Sequence, residues 1–266
     1  MAQLSKQEID TYRDEGLVIP QYHLPATLLA ELREDCEKLI RDNPEVRPEQ
    51  LVNAHLEKLP GRGQGLIGGG KILRYGTLPD ILDLVEQLIG PDIILWGSNL
   101  FAKPPGVGME VPWHQDGHYW PIRPLAAITV WIALDDSTTE NGCMRYIPGS
   151  HKSGVLSHHM DERREIVLSQ AIQDDLFDES TAEDDVLAAG QISLHDAYLI
   201  HGSRVNRSPK RRAGLTFRYM PATSHFDRSI AAYVSKGINA DFAERPLFQV
   251  RGVNRHPQND FQVGHV

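Results

Sequence analysis

After Gly90-Pro91 the sequence switches from helical to extended periodicity, and this switch limits the fold more than any other feature. Downstream, residues 93–102, the strand that carries His114-Gln115-Asp116, 126–134 (rich in Val, Ile, Thr and Trp), 143–147, 191–195, 197–201 and 214–220 read as short strands. Lys103-Pro104-Pro105-Gly106, Glu140-Asn141-Gly142 and Pro148-Gly149-Ser150-His151 punctuate them as turns. The spacing predicts that 191–195 and 197–201 pair with each other, that 214–220 is the last clear strand, and that the acidic stretch 161–187 is a partly helical excursion. Upstream, Ser5 and Glu8 form a capping-box pattern opening a helix over 6–14, which Gly16 ends before a short strand at 17–20. Leu28, Leu29, Leu32, Cys36, Leu39 and Ile40 lie at helical spacing within 25–42, and a third helix over 78–89 stops at Gly90-Pro91. The glycine-rich segment 43–70 lacks the Lys-Ser/Thr pair of a phosphate cradle and reads as a mobile loop at the mouth of an active site. The fold class expected is mainly β with flanking α-helices: a double-sheet barrel over 91–221, a helical third over 1–90 and a tail over 222–266, all one domain over 1–266.

Composition excludes several functions. A net charge of −9 leaves no electrostatic footprint for nucleic acid. Two cysteines, Cys36 and Cys143, cannot build a disulfide framework or a thiolate metal cluster. No apolar run is long enough to span a membrane, and the first residues carry no secretory pattern, so a cytoplasmic protein is expected.

Within the strand region, His114-Gln115-Asp116 is a His-x-Asp dyad. On an extended strand residues i and i+2 share a face, so an imidazole and a carboxylate emerge together, as a divalent metal requires. Of twelve histidines, several are rivals. His118 on a continuing strand would stand about 13 Å from His114. His195 and Asp196 point to opposite faces, His151 follows a turn, and His158-His159 reads as solvated. The best third ligand is His201. Two His and one carboxylate on one face of a metal are the pattern of non-haem Fe(II) oxygenases, although a zinc hydrolase uses similar ligands. A 2-oxoglutarate enzyme also needs a buried arginine to hold the distal carboxylate of that cosubstrate. Arg212, at the start of a strand just after His201, meets the demand.

The chain resembles the phytanoyl-CoA dioxygenase family of Fe(II)/2-oxoglutarate oxygenases over nearly its whole length to about Pro221. The marks are Leu73-Arg74-Tyr75-Gly76-Thr77-Leu78-Pro79, Lys103-Pro104-Pro105, His114 through Pro124, Trp131, Asn141-Gly142-Cys143, Ile147 through Lys152, and His201-Gly202-Ser203. The resemblance implies a double-stranded β-helix of jelly-roll type. It implies iron ligands at His114, Asp116 and His201, a 2-oxoglutarate clamp at Arg212, and further cosubstrate contacts at Trp131, Ser203 and Asn99. A family lysine before Leu73 has no clear counterpart, Arg62 and Lys71 being the candidates. Retention of Asp116 implies hydroxylation rather than halogenation, with Fe(II), 2-oxoglutarate and O2 as the reagents.

Tyr119, Trp120, Arg123 and Arg145 are the candidate substrate residues, with Arg218 on a strand that could face the same cavity. Cations and aromatic faces together suit a small anionic or zwitterionic metabolite, an aminoalkylphosphonate being one candidate. An acyl-CoA is the alternative substrate, and a non-catalytic metal-binding jelly-roll protein the alternative function. Oligomeric state is not legible.

Overall fold

Ser5 opens α1 (Lys6–Glu15) with both halves of a capping box: its hydroxyl accepts from the Glu8 N–H, and the Glu8 carboxylate accepts from the Ser5 N–H. Gly16, at φ 84°, ends the helix in the left-handed region, where a side chain would be strained. α2 (Ala26–Asp42) buries Leu29, Leu32, Cys36 and Leu39 along one stripe. α3 (Pro79–Ile89) starts on proline and buries Ile81, Leu82, Leu84 and Val85. The computed structural model describes residues 1–60, 63–163, 165–231 and 241–265.

Two short strands, β1 (Leu17–Val18) and β2 (Leu51–Val52), precede the sheet region. There, β3 (Ile93–Lys103), β4 (Val111–His114), β5 (Ile122–Arg123) and β6 (Ile128–Ala133) follow α3. Next come β7 (Met144–Tyr146), β8 (His158–Met160), β9 (Gln170–Ile172) and β10 (Glu183–Asp185). The last are β11 (Ile192–Asp196), β12 (His201–Ser203), β13 (Arg212–Pro221), β14 (His225–Phe226) and β15 (Phe248–Arg251). The larger sheet runs β1-β11-β6-β13-β3-β15, with β2 also on β3, and the smaller runs β10-β7-β12-β4. All pairings in both are antiparallel.

Strand alternation decides which face of the larger sheet meets which partner. In β13, Leu215, Phe217 and Tyr219 join Leu32, Leu39, Ile81 and Val85 of the helices in one core. Fully burying such a side chain contributes about 1.5–3 kcal/mol. The intervening Arg212, Thr216 and Arg218 line a cavity of about 610 Å³ on the other face. Thr129 and Trp131 of β6, His195 of β11 and Asn99 of β3 line it too, and β4, β7 and β12 of the smaller sheet add His114, Met144, His201 and Ser203. A bulge sharpens this arrangement. Arg218 pairs with Gly97 but Tyr219 with Leu95, so β3 carries one extra residue there, and Trp96 and Asn99 both reach the cavity.

Several expectations are corrected. The strands at 191–195 and 197–201 do not pair: β11 lies in the larger sheet and β12 in the smaller. A turn between them, in which Asp196 accepts from Tyr198 N (2.8 Å) and Leu199 N (3.1 Å), carries the chain across. Residues 161–187 hold no α-helix among those described. Their acidic residues cap single 3-10 turns instead, as Asp178 does by accepting from Ser180 N, and β10 then pairs with β7 in the smaller sheet. The last strand is not at 214–220, because β15 returns to an open edge of β3. Within 43–70, β2 pairs with β3, and Arg47, Gln50 and Asn53 line the cavity.

Candidate active site

His201 and His114 sit directly opposite each other on β12 and β4, their ring centroids 4.2 Å apart. β4 ends at His114, and Gln115 keeps extended backbone (φ −119°, ψ 126°) before a 3-10 turn begins at Asp116. One extended residue suffices to bring the carboxylate back to the imidazole side. Ligand atoms of His114, Asp116 and His201 all lie within 4.8 Å of one another, and all three residues are buried.

The donor set fits a divalent metal. His114 Nδ1 lies 2.9 Å from the Pro112 carbonyl and His201 Nδ1 lies 3.0 Å from the Leu199 carbonyl. A carbonyl only accepts, so each Nδ1 carries the proton. Burial pushes both imidazoles below their ordinary values, His201 well below, so both are neutral and each Nε2 presents a lone pair. Burial alone would raise the Asp116 carboxyl. The Arg218 guanidinium first, then His195, outweigh it and hold the group well below the usual carboxylate range. Thr129 Oγ1 donates to Asp116 Oδ2 at 3.2 Å, while His195 Nε2 and Arg218 Nη2 stand 3.7 and 3.8 Å from its oxygens.

At one end of the cavity lies Arg212, buried, its guanidinium over Trp131 with 5.5 Å from Cζ to the ring centroid. Its Nε and Nη2 both donate to the Gly142 carbonyl, at 2.9 and 2.7 Å, which fixes the plane of the fork. Burial lowers it to about 10, still charged at neutral pH. Gly214 makes room for Trp131, since a Cβ there would stand 1.9 Å from the indole Cζ2. Ser203 accepts from Nζ of the buried Lys103 at 2.7 Å, and Asn99 leaves a buried, unpartnered Oδ1 at the cavity wall. A buried cation, a hydroxyl and an indole face beside a metal-ligand set can hold a dicarboxylate.

The substrate candidates divide. Tyr119 and Trp120 are buried and line the cavity. Arg123 does not: it is exposed and donates to the Ile122 and Trp120 carbonyls. Arg145 does not either, because Glu179 and Asp184 neutralise it on the far side of β7. Lys71 is exposed and away from the cavity, and Arg62 lies outside the described residues. His118 leaves the ligand set because the chain turns after Asp116; its ring stacks on His158 at 3.9 Å and bonds Gln170 Oε1. His158 is therefore half-buried rather than solvated, and the Gln115 N–H donates to its Nε2. Sequence reasoning set His195 aside as a ligand partner of Asp196, yet it lines the cavity beside Asp116; it did not name Arg245, for which the sequence offers no local signal.

Comparison with known proteins follows the same lines. The family model for phytanoyl-CoA dioxygenase matches residues 12–214. Human peroxisomal phytanoyl-CoA dioxygenase is 29% identical over 241 residues, covering 84% of this chain and 70% of that protein. A probable alpha-ketoglutarate-dependent hypophosphite dioxygenase of Stutzerimonas stutzeri is 35% identical over 144 residues, covering 53% of this chain and 50% of that protein. Among solved structures, the non-heme monooxygenase ThoJ in its apo form superposes with a TM-score of 0.69 at 28% identity, covering 95% of this chain and 89% of that one. The chain belongs to the phytanoyl-CoA dioxygenase family of Fe(II)- and 2-oxoglutarate-dependent oxygenases.

Proposed function

We propose that this chain is one catalytic domain of double-stranded β-helix type that hydroxylates an aliphatic C–H of a small anionic or zwitterionic metabolite, releasing succinate and CO2. The triad carries the reading: three buried side chains whose donor atoms lie within 4.8 Å, two of them neutral imidazoles with Nε2 free and one an ionised carboxylate. His114, Asp116 and His201 hold the iron; Arg212, Ser203, Trp131 and Asn99 receive 2-oxoglutarate. Bound iron, with 2-oxoglutarate and O2, supplies the oxidising power that converts C–H to C–OH. The chain's own part is placement. The Pro112 and Leu199 carbonyls orient the imidazoles, Thr129 holds one Asp116 oxygen, the Gly142 carbonyl aims Arg212, and Tyr119 and Trp120 wall the cavity against water.

For the substrate, the hypophosphite dioxygenase relative supports a phosphorus oxoanion, and an aminoalkylphosphonate is one candidate. The human relative, with Tyr119-Trp120-Pro121, supports an acyl-CoA as the second reading. Succinate release with Fe(II) and 2-oxoglutarate across phosphonates, amino acids, betaines and acyl-CoAs decides between them. Stimulation by the phosphonates or amino acids is expected. Stimulation by acyl-CoA alone selects the second reading, and no succinate with Fe(II) under any condition leaves a non-catalytic metal-binding protein.

A further inference from the structure

Two arginines, Arg218 and Arg245, line the cavity away from Arg212. On the inward face of β13, Arg212 and Arg218 are six residues apart, which separates their Cα atoms by about 20 Å. Arg218 pairs across the ladder with Gly97, and there Arg245 arrives from the segment before β15. A Cβ built on Gly97 would lie 3.6 Å from Arg218 Cδ and 3.7 Å from Arg245 Nη1, so the two side chains converge on one spot. Both line the cavity, as does Trp96.

The donors at this spot are unspent. Arg245 is 2% exposed, and its recorded side-chain bonds go to Gln64 Oε1 and the Trp96 carbonyl, leaving Nη2 buried without a partner. Arg218 is 12% exposed at the side chain; its nearest carboxylate is Asp116 at 3.8 Å, too long for a hydrogen bond, and its Nε is also unpartnered. Trp96 Nε1 is a third buried donor without a partner. Aromatic rings surround the cations, with Arg218 over Trp120 at 5.5 Å and Arg245 over Phe242 at 5.1 Å. Leaving Arg245 Nη2, Arg218 Nε and the Trp96 indole N–H buried without an acceptor is costly, unless an anion completes them. Both arginines lie beyond residue 214, outside the matched range of the family model.

We propose that Arg218 and Arg245, with the Trp96 N–H, bind an oxoanionic head of the substrate, a phosphonate or a carboxylate. This rests on the reading of the triad as the iron site. Because Arg218 is 3.8 Å from a ligand carboxylate, the anionic head sits against the reacting centre. The bond oxidised is therefore close to that head, and the substrate is short. An acyl-CoA offers a neutral thioester at this point and its phosphates lie at the other end of a long arm, so the site disfavours it.

The test is calorimetric titration of the full chain, loaded with Fe(II) and saturating 2-oxoglutarate without O2, so that Arg212 is occupied. The probes are methylphosphonate, acetate and, as a cation of similar size, methylammonium. Wild type is expected to bind at least one anion and not the cation, and the stronger anion tells phosphonate from carboxylate. Arg245→Met is expected to weaken that anion by about thirtyfold or more. Arg245→Lys keeps the charge and loses the two-point fork, so it recovers part of the affinity, and it decides the matter should Arg245→Met not fold. Equal affinity in wild type and both variants overturns the proposal, as does wild type that prefers methylammonium. Wild type that binds 2-oxoglutarate but neither anion defeats this proposal alone; wild type that fails to bind 2-oxoglutarate defeats the reading beneath it.

Discussion

Arg212 gives two hydrogen bonds to one acceptor, the Gly142 carbonyl, at 2.9 and 2.7 Å. The turn that supplies this carbonyl is itself pinned, since Asn141 Nδ2 donates to the Asp136 and Arg211 carbonyls. One edge of the guanidinium is thus committed to the protein and its orientation is set before any ligand arrives. Neighbouring Arg211 faces the other way, against Asp135 and Glu37.

Arg212→Met leaves the distal carboxylate of 2-oxoglutarate without its partner and is expected to weaken binding about thirtyfold or more. Arg212→Lys does not restore it, because an ammonium cannot bond Gly142 and a carboxylate with the same planar geometry. Anaerobic titration of the Fe(II)-loaded protein with 2-oxoglutarate measures both; unchanged affinity in Arg212→Met removes Arg212 from the cosubstrate site.

Gly214→Ala is the smallest change that disturbs the same place. Its Cβ would lie 1.9 Å from Trp131, so the indole must leave its position beside Arg212. A stability loss of about 1–3 kcal/mol is expected from such overpacking, together with weaker 2-oxoglutarate binding. Urea denaturation and the same titration check this, and wild-type values in both would show that Trp131 moves freely.

Asp185 gives the chain a pH dependence that is separate from the metal ligands. It accepts from Ser193 Oγ at 2.8 Å, its Oδ1 is buried without a partner, and burial pushes its carboxyl up to about 6. An unfolded chain releases that proton near pH 4, as an ordinary Asp does. Between about pH 4 and pH 6 the folded state therefore holds a proton that the unfolded state has lost, and stability falls as pH rises through this window. Asp185→Asn removes the ionisation, so its stability relative to wild type rises by up to about 3 kcal/mol from pH 4 to pH 8. Urea midpoints at the two pH values test it; a difference independent of pH contradicts it.

What the sequence shows plainly is whatever is local. The Ser5–Glu8 capping box, the stripe of α2 and the Pro79 start of α3 each need a few neighbouring residues, and each forms as its spacing predicts. His114 and Asp116 are readable because one extended residue separates them. His201 and Arg212 become candidates through the needs of the chemistry rather than through any local pattern. Arg245 could not be found in this way, since its partners are Gln64 and Trp96, remote in sequence, and its placement depends on a bulge in β3. β15 was hidden for a similar reason: nothing in Phe248–Arg251 says that an edge of β3 is open to receive it. Arg123 and Arg145 show the converse, where cations near the dyad in sequence or on a neighbouring strand are satisfied by carbonyls and carboxylates outside the cavity.

The most direct measurement compares wild type and Asp116→Ala for Fe(II) binding and for Fe(II)- and O2-dependent succinate formation from 2-oxoglutarate. Wild type is expected to bind one iron and form succinate only with both present. Asp116→Ala, with two imidazoles and no carboxylate, is expected to lose substrate-coupled succinate formation and to bind iron at least about tenfold more weakly. Full turnover in Asp116→Ala, or activity in wild type restored by Zn(II) in place of Fe(II), would contradict the assignment of His114, Asp116 and His201 as the iron site of a 2-oxoglutarate oxygenase.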